Sequence, residues 1–246
     1  MRGGEACGCF PTGRHYPGIA HLIALRVTGG AEELSASEPW AAHRIAMLDT
    51  ETTGRDGNVD RIVEIGIIVG QNGEIVARQN WLINPGVPIP KGASDIHGIL
   101  DEHVKDAPSF AAIAHEVAAL LQGAIPAAYN ESFDRGFLRN EMRRAGIDLG
   151  PRSAPGLRDG VEWLDPLVWA RQIQRHEKSR ALGEVAARLG IALENAHRAS
   201  DDAEAALRVM WALGRDPSVP TAYGAFIQEQ RRLSRQQEEE MRVFRR

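Results

Sequence analysis

The spacing of apolar positions changes several times along this chain, and each change marks an element. Ile45-Ala46-Met47-Leu48 is a short continuous apolar run, which predicts a buried strand. Arg61 to Val69 predicts a second strand through Ile65, Ile67, Ile68 and Val69. Gln71-Asn72-Gly73 is a turn signal, and Glu74 to Ile83 predicts a third strand, so these three should form an antiparallel meander. Phe110, Ile113, Val117, Leu120 and Leu121 recur at helical spacing, predicting an amphipathic helix over residues 109 to 122. Ile125 to Tyr129 then reads as a fourth strand, Ser132 to Ala145 as a helix and Val161 to Leu164 as a short fifth strand. Two more helices are predicted near Ala181 to Leu189 and Asp201 to Leu213. A meander followed by alternating helices and strands implies an α/β fold. Its mixed sheet would hold the antiparallel three-strand meander plus two further strands, flanked by helices.

The same pattern divides the chain into three parts. Residues 1 to 42 carry Gly, Pro, Ser and Glu with no clear period. They read as an N-terminal extension, either disordered or produced by an upstream start codon. Residues 43 to 216 are the expected folded domain. Residues 217 to 246 form a C-terminal extension whose segment from 221 onward reads as a helix rich in Gln, Glu and Arg.

Composition narrows the class. Of 246 residues, 43% are hydrophobic and 25% charged, ordinary values for a globular enzyme. No apolar run approaches the ~18 residues of a membrane span. The start has no continuous apolar core of the kind a secretory signal needs. A cytoplasmic protein without a membrane partner is expected. Cys7 and Cys9 match no common zinc spacing, and two ligands do not close a zinc site; His15 or His21 as further ligands is the alternative. They read as reduced thiols. The net charge of -4 argues against tight wrapping of long nucleic acid, but allows a small site that grips a few terminal nucleotides.

The candidate chemistry begins at Leu48-Asp49-Thr50-Glu51-Thr52-Thr53-Gly54. Side chains two apart on a strand share a face, so Asp49 and Glu51 would meet at the end of the first strand. Like charges held that close raise each other's pKa. A divalent cation removes the penalty, and oxygen ligands suit magnesium or manganese. An exposed acidic turn is the alternative for this stretch taken alone. Two more acidic positions alter that balance: Asp134 within Tyr129-Asn130-Glu131-Ser132-Phe133-Asp134-Arg135-Gly136-Phe137-Leu138, and Asp202 within His197-Arg198-Ala199-Ser200-Asp201-Asp202-Ala203.

With those blocks in place the chain resembles the DEDDh 3'-5' exonucleases. Their pattern is D-x-E-T-T-G, then N-x-x-F-D-x-x-F-L, then H-x-x-x-x-D. All three occur here in order, between about Arg44 and Leu213. The stretch from Asn84-Pro85-Gly86 through Ile96-His97-Gly98-Ile99 is also similar to family sequence. The resemblance implies a ribonuclease-H-like fold and a metal-dependent 3'-5' exonuclease. Such an enzyme releases nucleoside monophosphates from single-stranded or frayed DNA 3' ends, in proofreading or repair. Within the family, the likeness is greatest to the proofreading epsilon subunit of bacterial DNA polymerase III. Oligoribonuclease and ribonuclease T use the same chemistry, so an RNA 3' end stays open as substrate. A non-catalytic polymerase-binding module is an alternative of another class, and the intact acidic residues argue against it.

The resemblance also implies roles. Asp49, Glu51, Asp134 and Asp202 would balance two divalent ions, Mg2+ with Mn2+ as a substitute. Asp49 would bridge both, with Glu51 and Asp202 on one and Asp134 on the other. His197, five residues before Asp202, is the implied general base; a tyrosine there would point to the sister DEDDy group. Thr52, Thr53 and Gly54 resemble the turn whose backbone meets the terminal sugar. His97 resembles a residue of the terminal-nucleotide pocket, and Asn130 the family Asn beside the second metal block. Phe133 is a candidate base contact, with core packing as its alternative. Tyr129 departs from the frequent His.

Proofreading relatives hold a polymerase through a C-terminal extension. The last helix, with i,i+3 and i,i+4 charge patterning, is therefore read as a partner-binding arm. A helix packed on the domain or a frayed tail is the other reading. If it is an arm, deleting residues 221 to 246 leaves hydrolysis of short strands nearly unchanged. Gln230-Arg231-Arg232-Leu233-Ser234 is a partial likeness to a sliding-clamp peptide without its Leu-Phe ending.

Overall fold

The structure is a computed structural model that describes residues 34–150, 154–193 and 196–244. Cys7, Cys9, His15 and His21 lie outside the described residues. Strands β1 (Ile45–Thr52), β2 (Ile62–Gln71) and β3 (Glu74–Leu82) form the expected meander, and β4 (Ile125–Ala128) joins it. The sheet order is β3-β2-β1-β4, with β4 parallel to β1 and the other pairs antiparallel. The helices are α1 (Lys91–His97), α2 (Asp101–Val104), α3 (Phe110–Leu121), α4 (Glu131–Arg144), α5 (Pro166–Ile173), α6 (Leu182–Arg188), α7 (Ala199–Leu213) and α8 (Tyr223–Phe244).

The predicted fifth strand is reduced to one parallel bridge between Ala127 and Leu164. Leu164 still exchanges hydrogen bonds with the β4 backbone, its N–H to the Pro126 carbonyl (3.0 Å) and its carbonyl from the Ala128 N–H (3.1 Å). The next residues end any extension of the strand. Asp165 caps α5 through the Leu167 N–H, and Pro166 sits at the helix start, where its missing N–H costs nothing.

Alternation along β1 sorts the core into two layers. Ile45 and Met47 face α5, α7 and α8, packing with Trp169, Leu207, Met210 and Phe226. Ala46 and Leu48 face α3 and α4, packing with Phe110, Val117, Leu138 and Met142. β2 is covered on both faces, which explains its nearly unbroken apolar run. Two glycines in β2 let α7 lie directly on the sheet. A Cβ at Gly66 would fall 2.3 Å from the Ser200 nitrogen, and one at Gly70 would fall 2.5 Å from the Trp211 ring.

Both extensions contribute to this packing. Trp40, read above as part of the N-terminal extension, is buried against α8; its N–H bonds the Thr221 carbonyl at 3.0 Å. Tyr223, Phe226, Ile227, Gln230 and Leu233 form a buried stripe at helical spacing. The Phe226 ring sits 5.2 Å from Trp40 and 4.8 Å from Trp169. The first half of α8 is therefore a helix packed on the domain. Burying each large apolar side chain contributes ~1.5–3 kcal/mol, against the ~5–15 kcal/mol that keeps a whole domain folded. Truncation after Pro220 is expected to unfold the protein, whereas truncation after Glu238 should leave the melting temperature unchanged. Circular-dichroism melts of both forms check this, and a near-normal melt of the shorter one would contradict it.

Candidate active site

The C-terminal end of β1 carries Asp49 and Glu51 on the α7 face. Cross-strand neighbours of these residues are Gly66 and Glu64 of β2. Because Gly66 has no side chain, the first turn of α7 reaches over β1 and brings Asp202 to the two carboxylates. Thr50 points to the opposite face, where its hydroxyl donates to Asp134 Oδ1 at 2.8 Å. Asp134 is held in the first turn of α4, against the sheet. A cleft of about 500 Å³ is lined by Asp49, Glu51, Asp134, His197 and Asp202, together with Tyr129, Asn130 and Phe133. These positions, drawn from three separate stretches of chain, therefore converge on one cavity.

Burial and mutual repulsion dominate the electrostatics. Burial first, then the charges of Asp134, Asp202, Glu51 and Glu64, push the Asp49 carboxyl well above its usual range. Burial, followed by Asp202, Glu64 and Asp134, raises Glu51 to about 8, and the Arg198 guanidinium offsets this only slightly. Burial raises Asp134 to about 7 despite the Thr50 hydrogen bond. Asp202 is also raised by burial, opposed chiefly by the His197 N–H, which donates to its Oδ2 at 2.9 Å. Carboxyls with folded-state pKa values above their unfolded values stabilise the metal-free fold in their protonated form. That contribution is full below about pH 4 and is lost as pH rises through about 7 for Asp134 and about 8 for Glu51. The melting temperature in chelator should fall between pH 5 and pH 8.5 as these groups ionise. Saturating Mn2+ should remove or reverse that slope. Scanning calorimetry across the range checks it, and parallel profiles with and without Mn2+ would refute it.

His197 is exposed and adopts a left-handed backbone, φ 69°. One potential ligand atom from each of Glu51, His197 and Asp202 lies within 4.8 Å of the others. The turn that carries His197 is fastened from β2 by Glu64, which is fully buried. Glu64 accepts from Asn80 Nδ2 (2.9 Å), the Arg198 guanidinium (2.6 Å) and the Ala199 N–H (3.2 Å). Sequence reading missed Glu64, although one charged residue inside Ile62-Val63-Glu64-Ile65 is itself a signal. It also missed Thr50, which stands between the two carboxylates, and Asp165, whose carboxylate accepts from the Asn130 N–H (3.0 Å) and Glu131 N–H (3.3 Å).

Asn130 and Phe133 line the cleft, whereas Thr52, Thr53, Gly54 and His97 are not among its lining residues. Thr52 and Thr53 are buried and close their own turn. Thr52 Oγ1 donates to the Gly54 carbonyl at 2.6 Å, and the Arg61 N–H donates to Thr53 Oγ1 at 2.9 Å. A Cβ at Gly54 would strike the Asp60 carboxyl at 2.3 Å. His97 is buried beside this turn, with Nδ1 accepting the Ile99 N–H at 3.0 Å. Burial holds its imidazole below the usual range, against the opposing pull of the Thr52 backbone. Asn130 is exposed at the start of α4 with φ 71°. Phe133 is half-buried and packs 4.8 Å from the core residue Phe137. Tyr129 donates its hydroxyl to the Arg180 carbonyl at 2.5 Å, tying the segment before α6 to the cleft wall.

Comparison with known proteins agrees with this geometry. The Exonuclease family model matches residues 46–210. A PolC-type DNA polymerase III of Streptococcus suis is 30% identical over 170 residues, covering 69% of this chain and 11% of that protein. The 3'-5' exonuclease DinG of Bacillus subtilis is 33% identical over 162 residues, covering 65% of this chain and 16% of that protein. The chain thus spans only a small part of these relatives' length. Among solved structures, a zinc-bound complex of E. coli exonuclease I with single-stranded DNA superposes with a TM-score of 0.61 at 23% identity, covering 72% of this chain and 41% of that one. Exonuclease X in complex with 5' overhanging duplex DNA gives 0.55 at 24% identity, covering 75% and 98%. Among the described residues, no helix is long and apolar enough to cross a membrane. With its acidic blocks gathered at the end of β1 and its family match running through the whole cleft, the chain belongs to the DEDDh 3'-5' exonuclease family.

Proposed function

We propose that this protein removes nucleoside monophosphates from the 3' ends of single-stranded or frayed DNA, in proofreading or repair, with two Mg2+ ions that Mn2+ can replace. The observation that carries the reading is the convergence of Asp49, Glu51, Asp134, Asp202 and His197 on one cleft. Four carboxylates raised by burial and mutual repulsion are an all-oxygen donor set that fits hard divalent cations. Asp49, Glu51, Asp134 and Asp202 would hold these ions. When bound, such ions supply a stronger nucleophile and neutralise charge on the phosphate and leaving oxygen.

The chain's own residues supply the rest. His197 takes the proton from the attacking water as general base. Exposure at the mouth of the cleft gives it a route to pass that proton to solvent. Glu64 keeps the His197 turn in place through Arg198 and Ala199. The backbone of Thr52, Thr53 and Gly54, with His97, would receive the terminal nucleotide; Asn130 would stand beside the metal-holding Asp134, and Phe133 would contact a base. The solvated distal part of α8 is where a polymerase subunit would dock.

The test is a nuclease assay on matched 3'-labelled DNA and RNA oligonucleotides. Faster release of mononucleotides from DNA supports the reading. Faster release from RNA moves the substrate to RNA ends. No hydrolysis, together with no thermal shift in Mn2+, would leave a binding module.

A further inference from the structure

Gln230 lies in the buried half of α8 and is only 4% exposed. It falls beyond the family-matched residues 46–210. Both ends of its amide are used. Nε2 donates to the Trp163 carbonyl at 2.8 Å, and Oε1 accepts the Asp165 N–H at 3.0 Å. Between these two residues, the Leu164 N–H and carbonyl face β4. The Trp163 carbonyl and Asp165 N–H therefore face away from the sheet, where a neighbouring strand would pair with them. The Gln230 amide occupies that place, acting as a side-chain substitute for a strand peptide and closing an edge that would otherwise be buried unpaired.

Asp165 passes this order to the cleft. Its carboxylate accepts from the N–H groups of Asn130 and Glu131, at 3.0 and 3.3 Å, as well as from Leu167 at 2.9 Å. Asn130 precedes α4 in a left-handed conformation of the kind asparagine visits readily, and its N–H is held there by the Asp165 carboxylate. Asp134 is the fourth residue of that helix. A continuous series of hydrogen bonds thus leads from α8 through Asp165 to the turn that aims Asp134.

We propose that Gln230 is a positioning residue for the Asp134 carboxylate, which makes the C-terminal helix part of the catalytic unit. The inference rests on the reading of Asp134 as a group that holds a metal ion. Outer partners of metal-holding groups typically contribute ~10–100-fold in affinity or activity.

The test uses Gln230→Leu in the full chain, which keeps the volume and removes both hydrogen bonds. Phe226→Leu, on the same buried stripe but with no bond to Asp165, serves as the stability control. Calorimetric titration with Mn2+ should show ~10-fold weaker affinity or more for Gln230→Leu. Its kcat on a short DNA strand should fall with little change in KM, and exchange of the Asn130 and Glu131 amides should quicken. Phe226→Leu should lower the melting temperature and leave Mn2+ affinity and those two amides as in wild type. Gln230→Glu, which keeps the acceptor and loses the donor, should fall between wild type and Gln230→Leu, and it is the variant to titrate if the leucine form does not fold. Wild-type Mn2+ affinity in the Gln230 variants would overturn the inference. So would an equal loss in Phe226→Leu at a matched melting temperature. A wild-type protein that binds no Mn2+ would instead overturn the reading of the cleft itself.

Discussion

Replacing Asp49 by alanine is expected to abolish nuclease activity while leaving the fold intact, and to raise the melting temperature of the metal-free protein. The carboxyl is pushed up by its own burial and then by four neighbouring acids, so it is the most crowded charge in the cleft. Its ionised form stabilises the fold only when a cation offsets the repulsion. Asp202→Ala should have the same two effects, less strongly on stability, because the His197 N–H already satisfies part of that carboxylate. Carboxylates that share the same ions would act as a unit, so the double variant should lose little more than either single one. Retention of near wild-type turnover in either single variant, with contaminating nuclease excluded, would overturn the assignment.

His197→Ala is the second large effect: turnover should fall by ~10²–10⁴-fold, the usual contribution of a positioned acid or base. The backbone N–H that steadies Asp202 survives this substitution, so the carboxylate stays in place. Alanine tolerates the left-handed backbone poorly, whereas asparagine visits it readily. His197→Asn should therefore match the alanine variant in activity and exceed it in stability. The imidazole shares a 4.8 Å cluster with Glu51 and Asp202, which makes Mn2+ calorimetry the discriminating measurement. Near-normal affinity supports a proton-transfer role, and a loss as complete as in Asp49→Ala would make His197 a ligand.

Much of the fold was legible from spacing, because those signals are local, while the roles proposed for the acids and His197 came from the resemblance of whole motifs. Alternation placed Asp49 and Glu51 on one face, and the Asn-Gly turn fixed the pairing of β2 with β3. The parts that escaped depend on partners far apart in the chain. Glu64 meets Arg198, which is 134 residues later, and Gln230 meets Asp165, which is 65 residues earlier. Nothing in the local pattern of either stretch announces the other. α8 was misleading for a different reason. Its buried stripe is only one side of a helix whose remaining positions are charged, so composition spoke for solvent while spacing spoke for the core. The short helices α1, α2 and α5 carry too few turns for a period to stand out. Val161 to Leu164 has the composition of a strand, but the Asp-Pro pair behind it starts a helix and cuts the pairing to a single bridge.

The contact of α7 with Gly66 has a consequence for how this protein should tolerate change. There the helix backbone meets the strand backbone, with no side chain between them to swell, shrink or swap rotamers. The reach from Asp202 to Asp49 is therefore set by main-chain thickness, like the stop on a hinge. Core substitutions further along α7, around Leu207 or Met210, can loosen the protein without opening that gap. Natural or laboratory drift in the core should thus cost melting temperature long before it costs the spacing of the acids, while a single methyl group at Gly66 would reverse that order.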